Sequence, residues 1–144
     1  VSVLTLDPVP GRLTFSSNLQ ECSMQDAAPP IDPAIISDYH AHIYYDPATT
    51  RDRAELLRQR IAEAFPEAKI GRWHDELVGP HLKSMYQVAF PRFLLASFLP
   101  WLLLNRDGLT ILVHPETGNA YADHTDHAAW LGGMLPIKVE ALLE

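Results

Sequence analysis

The run Tyr39-His40-Ala41-His42-Ile43-Tyr44-Tyr45 (YHAHIYY, residues 39–45) decides the fold. It alternates without a break. Ala41, Ile43 and Tyr45 fall on one side, and His40, His42 and Tyr44 on the other. Side chains two apart on a strand share a face, so the run predicts a β-strand with one apolar face and one face of paired imidazoles. Asp46-Pro47 ends it.

The segments that follow supply partners for that strand. Thr49 or Thr50 can cap a helix running to about Phe65, with Pro66 as the stop. Ala54, Leu57, Ile61, Ala64 and Phe65 form its apolar stripe. Lys69–Leu77 reads as a second strand and His81–Phe90 as a third, joined at a Val78-Gly79-Pro80 turn as a hairpin. Tyr86, Val88 and Phe90 take one face of the third strand. Phe93–Asn105 reads as a buried helix that Pro100 divides or begins. Leu109–His114 is a fourth strand, closed by the turn Pro115-Glu116-Thr117-Gly118. The stretch Asp123–Gly132 and an apolar tail, Leu135–Leu143, complete the chain.

The order β-α-β-β-α-β predicts an α+β fold of the ferredoxin-like kind, an antiparallel sheet with its helices on one face. The first strand then lies between the third and the fourth. Ala41, Ile43, Tyr45, Tyr86, Val88, Phe90, Ile111 and Val113 pack under the helices. The opposite face carries His40, His42, Tyr44, Met85, Gln87 and His114. Residues 1–36, with many prolines and a short strand candidate at Val1–Leu6, read as an N-terminal arm that is partly ordered. Residues 37–144 form the domain.

Composition narrows the function. A formal net charge of −7 argues against a nucleic-acid partner. The longest apolar stretch, within Phe93–Leu104, is too short for a membrane span. The N-terminus lacks a secretory pattern, and the single cysteine, Cys22, excludes an intrachain disulfide. A soluble cytoplasmic protein is the expectation.

Seven histidines stand out. The fourth strand runs antiparallel to the first, so His114 comes near His40 and His42. His81 comes near Tyr44 at the other end, and His124 can fold over the rim. Neutral imidazoles bind iron, zinc and copper, and three from one rigid face leave other coordination positions open. Asp123 or Glu76 can complete or support the set. His74 faces the same side or sits at a sheet edge, and His127 reads as a surface residue. Arg72 and Arg92 are candidates to meet a substrate carboxylate, or are simply solvated.

Four runs, HAHIYYD (40–46), VGPH (78–81), HPETG (114–118) and DHTDHAAWLG (123–132), together resemble the DOPA 4,5-dioxygenase family of fungi and bacteria. The resemblance spans about Asp38 to Lys138. It implies an extradiol dioxygenase that opens a catechol such as L-DOPA with dioxygen at non-haem Fe2+, giving a seco-DOPA that cyclises. Zn2+ is an alternative metal in purified protein, and a homodimer is implied. At matching positions it implies His40, His42, His81 and His114 as metal ligands. His81, His124 and Tyr44 are implied as groups that move protons or orient the ring. Two other readings fit the same residues: a non-catalytic small-molecule or metal-binding module on the same dimeric fold, and a structural dimer that buries the histidine face.

Overall fold

The computed structural model describes residues 27–143. The chain divides into two compact units, residues 1–31 and 32–144, and the described residues fall almost wholly in the second. The strand expected at Val1–Leu6 and most of the expected arm lie outside the described residues.

Five strands form one antiparallel sheet. They are β1 (Asp38–Tyr44), β2 (Lys69–Ile70), β3 (Met85–Pro91), β4 (Ile111–Pro115) and β5 (Ala129–Leu131), in the order β2-β3-β1-β4-β5. Helix α1 (Arg51–Ala64) follows β1 and α2 (Leu95–Asn105) follows β3, while a short α3 (Ala120–His124) leads into β5. This is the ferredoxin-like arrangement with an extra strand on the β4 edge. β1 is central, paired with β3 on one side and β4 on the other, and its buried apolar face fixes the register, because a one-residue slip would turn that face outward.

The predicted core is the observed one. Ala41, Ile43, Tyr45, Tyr86, Val88, Phe90, Ile111 and Val113 pack with Ala54, Leu57 and Ile61 of α1 and Phe98 and Leu102 of α2. Tyr86 keeps its hydroxyl satisfied by donating to the Ala54 carbonyl at 2.9 Å, as a buried phenol must. Ala64, expected on the buried stripe, is exposed, because α1 turns its last residue away before Phe65 packs. Thr50 is the N-cap of α1, but its hydroxyl accepts from the Asp46 amide at 2.7 Å and so braces the turn after β1. Pro100 lies inside α2 and does not divide it.

The second and third strands are shorter than expected, and β4 starts at Ile111 and not Leu109. β2 ends at Ile70, and His74 makes only an isolated bridge to Met85. The third strand starts at Met85, so His81 is not on it; His81 bridges Ile137 in the C-terminal tail. The tight hairpin at Val78-Gly79-Pro80 is instead part of a long loop over residues 71–84. Gly79 there has φ +58°, and Pro80 lacks an amide for a ladder. The fifth strand and α3 both arise from the stretch around Asp123–Gly132, which has too few residues per element to show a period. The apolar tail forms a single 3₁₀ turn, Val139–Leu142.

Among the described residues, no helix is long and apolar enough to cross a membrane.

Phe98 is fully buried where α1, α2 and the sheet meet, with its ring 4.7 Å from Phe65 and 4.8 Å from Phe90. Phe98→Ala is therefore expected to lower unfolding free energy by about 3–5 kcal/mol. Leu104→Ala, at a side chain that is 86% exposed, should change it by less than about 0.5 kcal/mol. Urea denaturation of both variants checks this pair of values.

Candidate metal centre

Register places the imidazoles. His40 of β1 sits directly across from His114 of β4, and His42 is across from Gln87 of β3 and Leu112 of β4. Their face is not open to solvent along its whole length. Tyr44, Met85 and Leu112, with Ala128, Trp130 and Leu135, close its lower part as a second, smaller apolar cluster. His42 and His114 are buried as a result, and His40 stays part-exposed at the rim.

Two more imidazoles come from outside the central strands. The loop over residues 71–84 folds back across the face and delivers His81, whose Nδ1 lies 2.7 Å from the Tyr44 hydroxyl. Helix α3 ends at His124, with ring centroids 4.0 Å from His114, 5.5 Å from His42 and 5.8 Å from His81. The sequence therefore places His81 correctly beside Tyr44, although on a loop and not on a strand. Around this cluster lies a cleft of ≈ 350 Å³, walled by Val78, Met85 and Leu142 and edged by His74, Gln87 and Glu116. Arg72 and Arg92 are exposed and do not line it, nor does Glu76.

Nitrogen atoms converge in two overlapping triads. His40, His42 and His114 can each offer one ligand atom, all within 4.8 Å of one another, and so can His42, His81 and His124. The tightest contact is His42 Nε2 to His114 Nε2, at 3.0 Å. Outward-facing partners fix most tautomers. A carbonyl can only accept, so His114 donates from Nδ1 to Pro115 O at 2.8 Å, and His124 donates from Nδ1 to Ala120 O at 2.8 Å. Both rings then present Nε2 as a lone pair. His42 Nδ1 is buried and has no hydrogen-bond partner among the described residues.

This donor set fits a metal ion. Two nitrogens each about 2.1 Å from one ion, at tetrahedral to octahedral angles, lie about 3.0–3.4 Å apart. The His42–His114 separation meets that requirement without rearrangement. Neutral imidazole is the ligating form, and the environment enforces it. Burial, then the neighbouring imidazoles, hold His42 well below its ordinary value. Burial pushes His81 and His114 down to about 4. His40 is also lowered, by burial working against the pull of Glu116.

The carboxylates have divided tasks. Asp123, expected to complete or support the set, is fully buried and points at the backbone. It accepts from the Thr117 amide at 2.9 Å, the Thr117 hydroxyl at 2.7 Å and His127 Nδ1 at 3.1 Å. Burial alone pushes its carboxyl up, but these donors outweigh it and leave it below the usual range. Asp123 thus ties α3 to the turn after β4, and His127 braces it from the surface. Glu116 was legible only as a turn residue. It places Oε1 3.1 Å from His40 Nδ1 and 3.6 Å from His114 Nδ1. Its signal was its position two residues after His114, on the same face.

Tyr44 is buried, stacks on Trp130 with ring centroids 5.8 Å apart, and reaches the cleft only through His81. Burial raises its phenol above the ordinary value, so it stays protonated.

Comparison with known proteins adds an independent line. The model of the Dopa 4,5-dioxygenase family matches residues 39–141. An uncharacterized 21.2 kDa protein of Botryotinia fuckeliana is 33% identical over 138 residues, 88% of this chain and 75% of that one. The DOPA 4,5-dioxygenase of Amanita muscaria is 32% identical over 114 residues, 74% of this chain but 50% of that enzyme. A crystal structure of a provisionally named dioxygenase from Nostoc punctiforme superposes with a TM-score of 0.76 at 46% identity, covering 79% of this chain and 97% of that one.

The lowered histidines set a pH dependence for the metal-free protein. Unfolded imidazoles take up protons near 6.5, whereas His81 and His114 in the fold do so only near 4. Between these values the unfolded state binds more protons, so stability rises with pH. In the presence of chelator, the urea midpoint should hold above about pH 7 and fall steadily from about 6.5 toward 4. A midpoint unchanged between those limits contradicts the burial of neutral imidazoles.

Proposed function

The chain belongs to the Dopa 4,5-dioxygenase family, and from that premise we propose that it is an extradiol dioxygenase. It opens the ring of a catechol such as L-DOPA with dioxygen, using a non-haem ferrous ion held by His40, His42 and His114. The observation that carries the reading is the convergence of these three imidazoles, whose ligand atoms lie within 4.8 Å of one another, with His42 and His114 Nε2 only 3.0 Å apart beside the cleft that His40 and His42 line. Three ligands from two paired strands are rigid, and one side of the ion stays free. When bound, such an ion supplies Lewis acidity toward the two catechol oxygens and one-electron access to dioxygen.

The chain's own groups do the remaining work. Val78, Met85 and Leu142 form an apolar wall for the aromatic ring. His81 and His124 take no part in the ligand triad and are free to move protons. His124 offers Nε2, because its Nδ1 is committed to Ala120 O. His81 offers Nε2 in the tautomer that donates from Nδ1 to Tyr44. A neutral imidazole at these points accepts a catechol proton and returns it to the opening product. Tyr44 is a positioning residue: its hydroxyl holds the His81 ring at Nδ1.

His81 then separates from the ligands by experiment. His40→Ala, His42→Ala and His114→Ala should each abolish stoichiometric binding of ferrous iron in anaerobic reconstitution. His81→Ala should keep the metal and lose roughly 10²–10⁴-fold in turnover, and Tyr44→Phe should lose less. The assay is the yellow ring-opened product formed when catechol and air are added. A metal-free His81→Ala protein, or no turnover of any catechol by the reconstituted wild type, contradicts the assignment.

A further inference from the structure

We infer that Glu116 is a positioning residue for the metal triad: its carboxylate locks His40 with Nδ1 protonated and Nε2 free to ligate. The inference rests on the metal reading above and adds to it a residue outside the histidine set.

Three observations lead there. First, the outward nitrogens of the cluster are sorted by partner. His114 has Pro115 O, His124 has Ala120 O, and His81 has Tyr44. His40 has only the Glu116 carboxylate, at 3.1 Å. His40 is also the part-exposed member of its triad, so packing restrains its ring less than that of His42 or His114. Without an acceptor at Nδ1, its proton is free to sit on either nitrogen.

Second, Glu116 is itself held from both sides. Its amide donates to Asp38 O at 2.9 Å, and its carbonyl accepts from the Ser37 amide at 2.9 Å and the Ser37 hydroxyl at 3.2 Å. These bonds extend the β1–β4 pairing past His114. The next residue, Thr117, is anchored to the buried Asp123 through both its amide and its hydroxyl. A carboxylate on so constrained a backbone is delivered, not merely nearby.

Third, the same Oε1 lies 3.6 Å from His114 Nδ1. One negative charge therefore faces the outer side of two imidazoles whose inner sides face each other or the cleft. An outer carboxylate of this kind raises the basicity of a ligating imidazole and fixes its orientation, and its loss costs about 10–100-fold in metal affinity.

The test uses full-length protein and two readouts. In metal-free wild type, two-bond proton–nitrogen NMR of the imidazoles should show His40 with its proton on Nδ1. In Glu116→Ala, His40 should shift toward the Nε2-protonated form that free side chains favour in water. Anaerobic titration with Co2+ should show a Kd weakened about 10–100-fold in Glu116→Ala, with altered visible absorption bands. Glu116→Gln keeps an acceptor without the charge and should fall between. Thermal unfolding should be little changed in both, because the side chain is part-exposed. Should the alanine variant melt early, the glutamine variant carries the same test. A His40 tautomer that does not respond, or a Kd equal to wild type, overturns the inference while leaving the triad intact. Wild type that takes up no Co2+ overturns the metal reading, and this inference with it.

Discussion

The pairing of β1 with β4 is the constraint on which the rest depends. His40 stands opposite His114, and the same ladder places Ala41 against Val113 and Ile43 against Ile111. A slip of one residue would carry every core side chain of β1 to the cleft side and every histidine into the core. The apolar half of the strand therefore fixes the position of the imidazole half. The hydrophobic effect that closes the fold therefore also brings His42 and His114 together.

The same arrangement carries a cost. His42 and His114 are removed from water with few partners, and His42 Nδ1 has none among the described residues. Buried polar atoms without partners destabilise a fold by about 1–3 kcal/mol each. The core on the other face, with Phe90, Phe98, Tyr86 and Ile43 fully or almost fully buried, offsets it. The division follows the layers: the helix side provides stability, and the cleft side holds neutral nitrogen donors in a state that folding alone would not favour. Asp123 and Glu116 extend this outward, one fixing the turn after β4 and the other facing the histidine rings.

How much of this the sequence revealed depended on period. The strict alternation at 39–45 gave the central strand, both faces and the core partners. Alternation at Tyr86, Val88 and Phe90 did the same for β3. At Lys69–Leu77 only the first two residues are strand, and the alternating residues after them belong to a loop with an isolated bridge at His74. Elements of three to five residues, β5 and α3, are too short to show a period. At the site, His40, His42 and His114 followed from strand geometry. The contact of His81 with Tyr44 was anticipated, although long-range packing of a loop against the C-terminal tail creates it. Glu116 was hidden because Pro-Glu-Thr-Gly reads as a turn, and only the continuing ladder to Asp38 shows that its side chain still obeys the strand's alternation.

Strand pairing brings His40, His42 and His114 together, and the loop and α3 set His81 and His124 beside them. Anomalous diffraction from crystals of the metal-loaded protein, collected at the metal's absorption edge, distinguishes the two histidine triads as the ion's site. One peak is expected about 2.1 Å from nitrogens of His40, His42 and His114, with His81 and His124 at non-bonding distance. A peak centred among His42, His81 and His124, or no peak in the cleft, would contradict that ligand set.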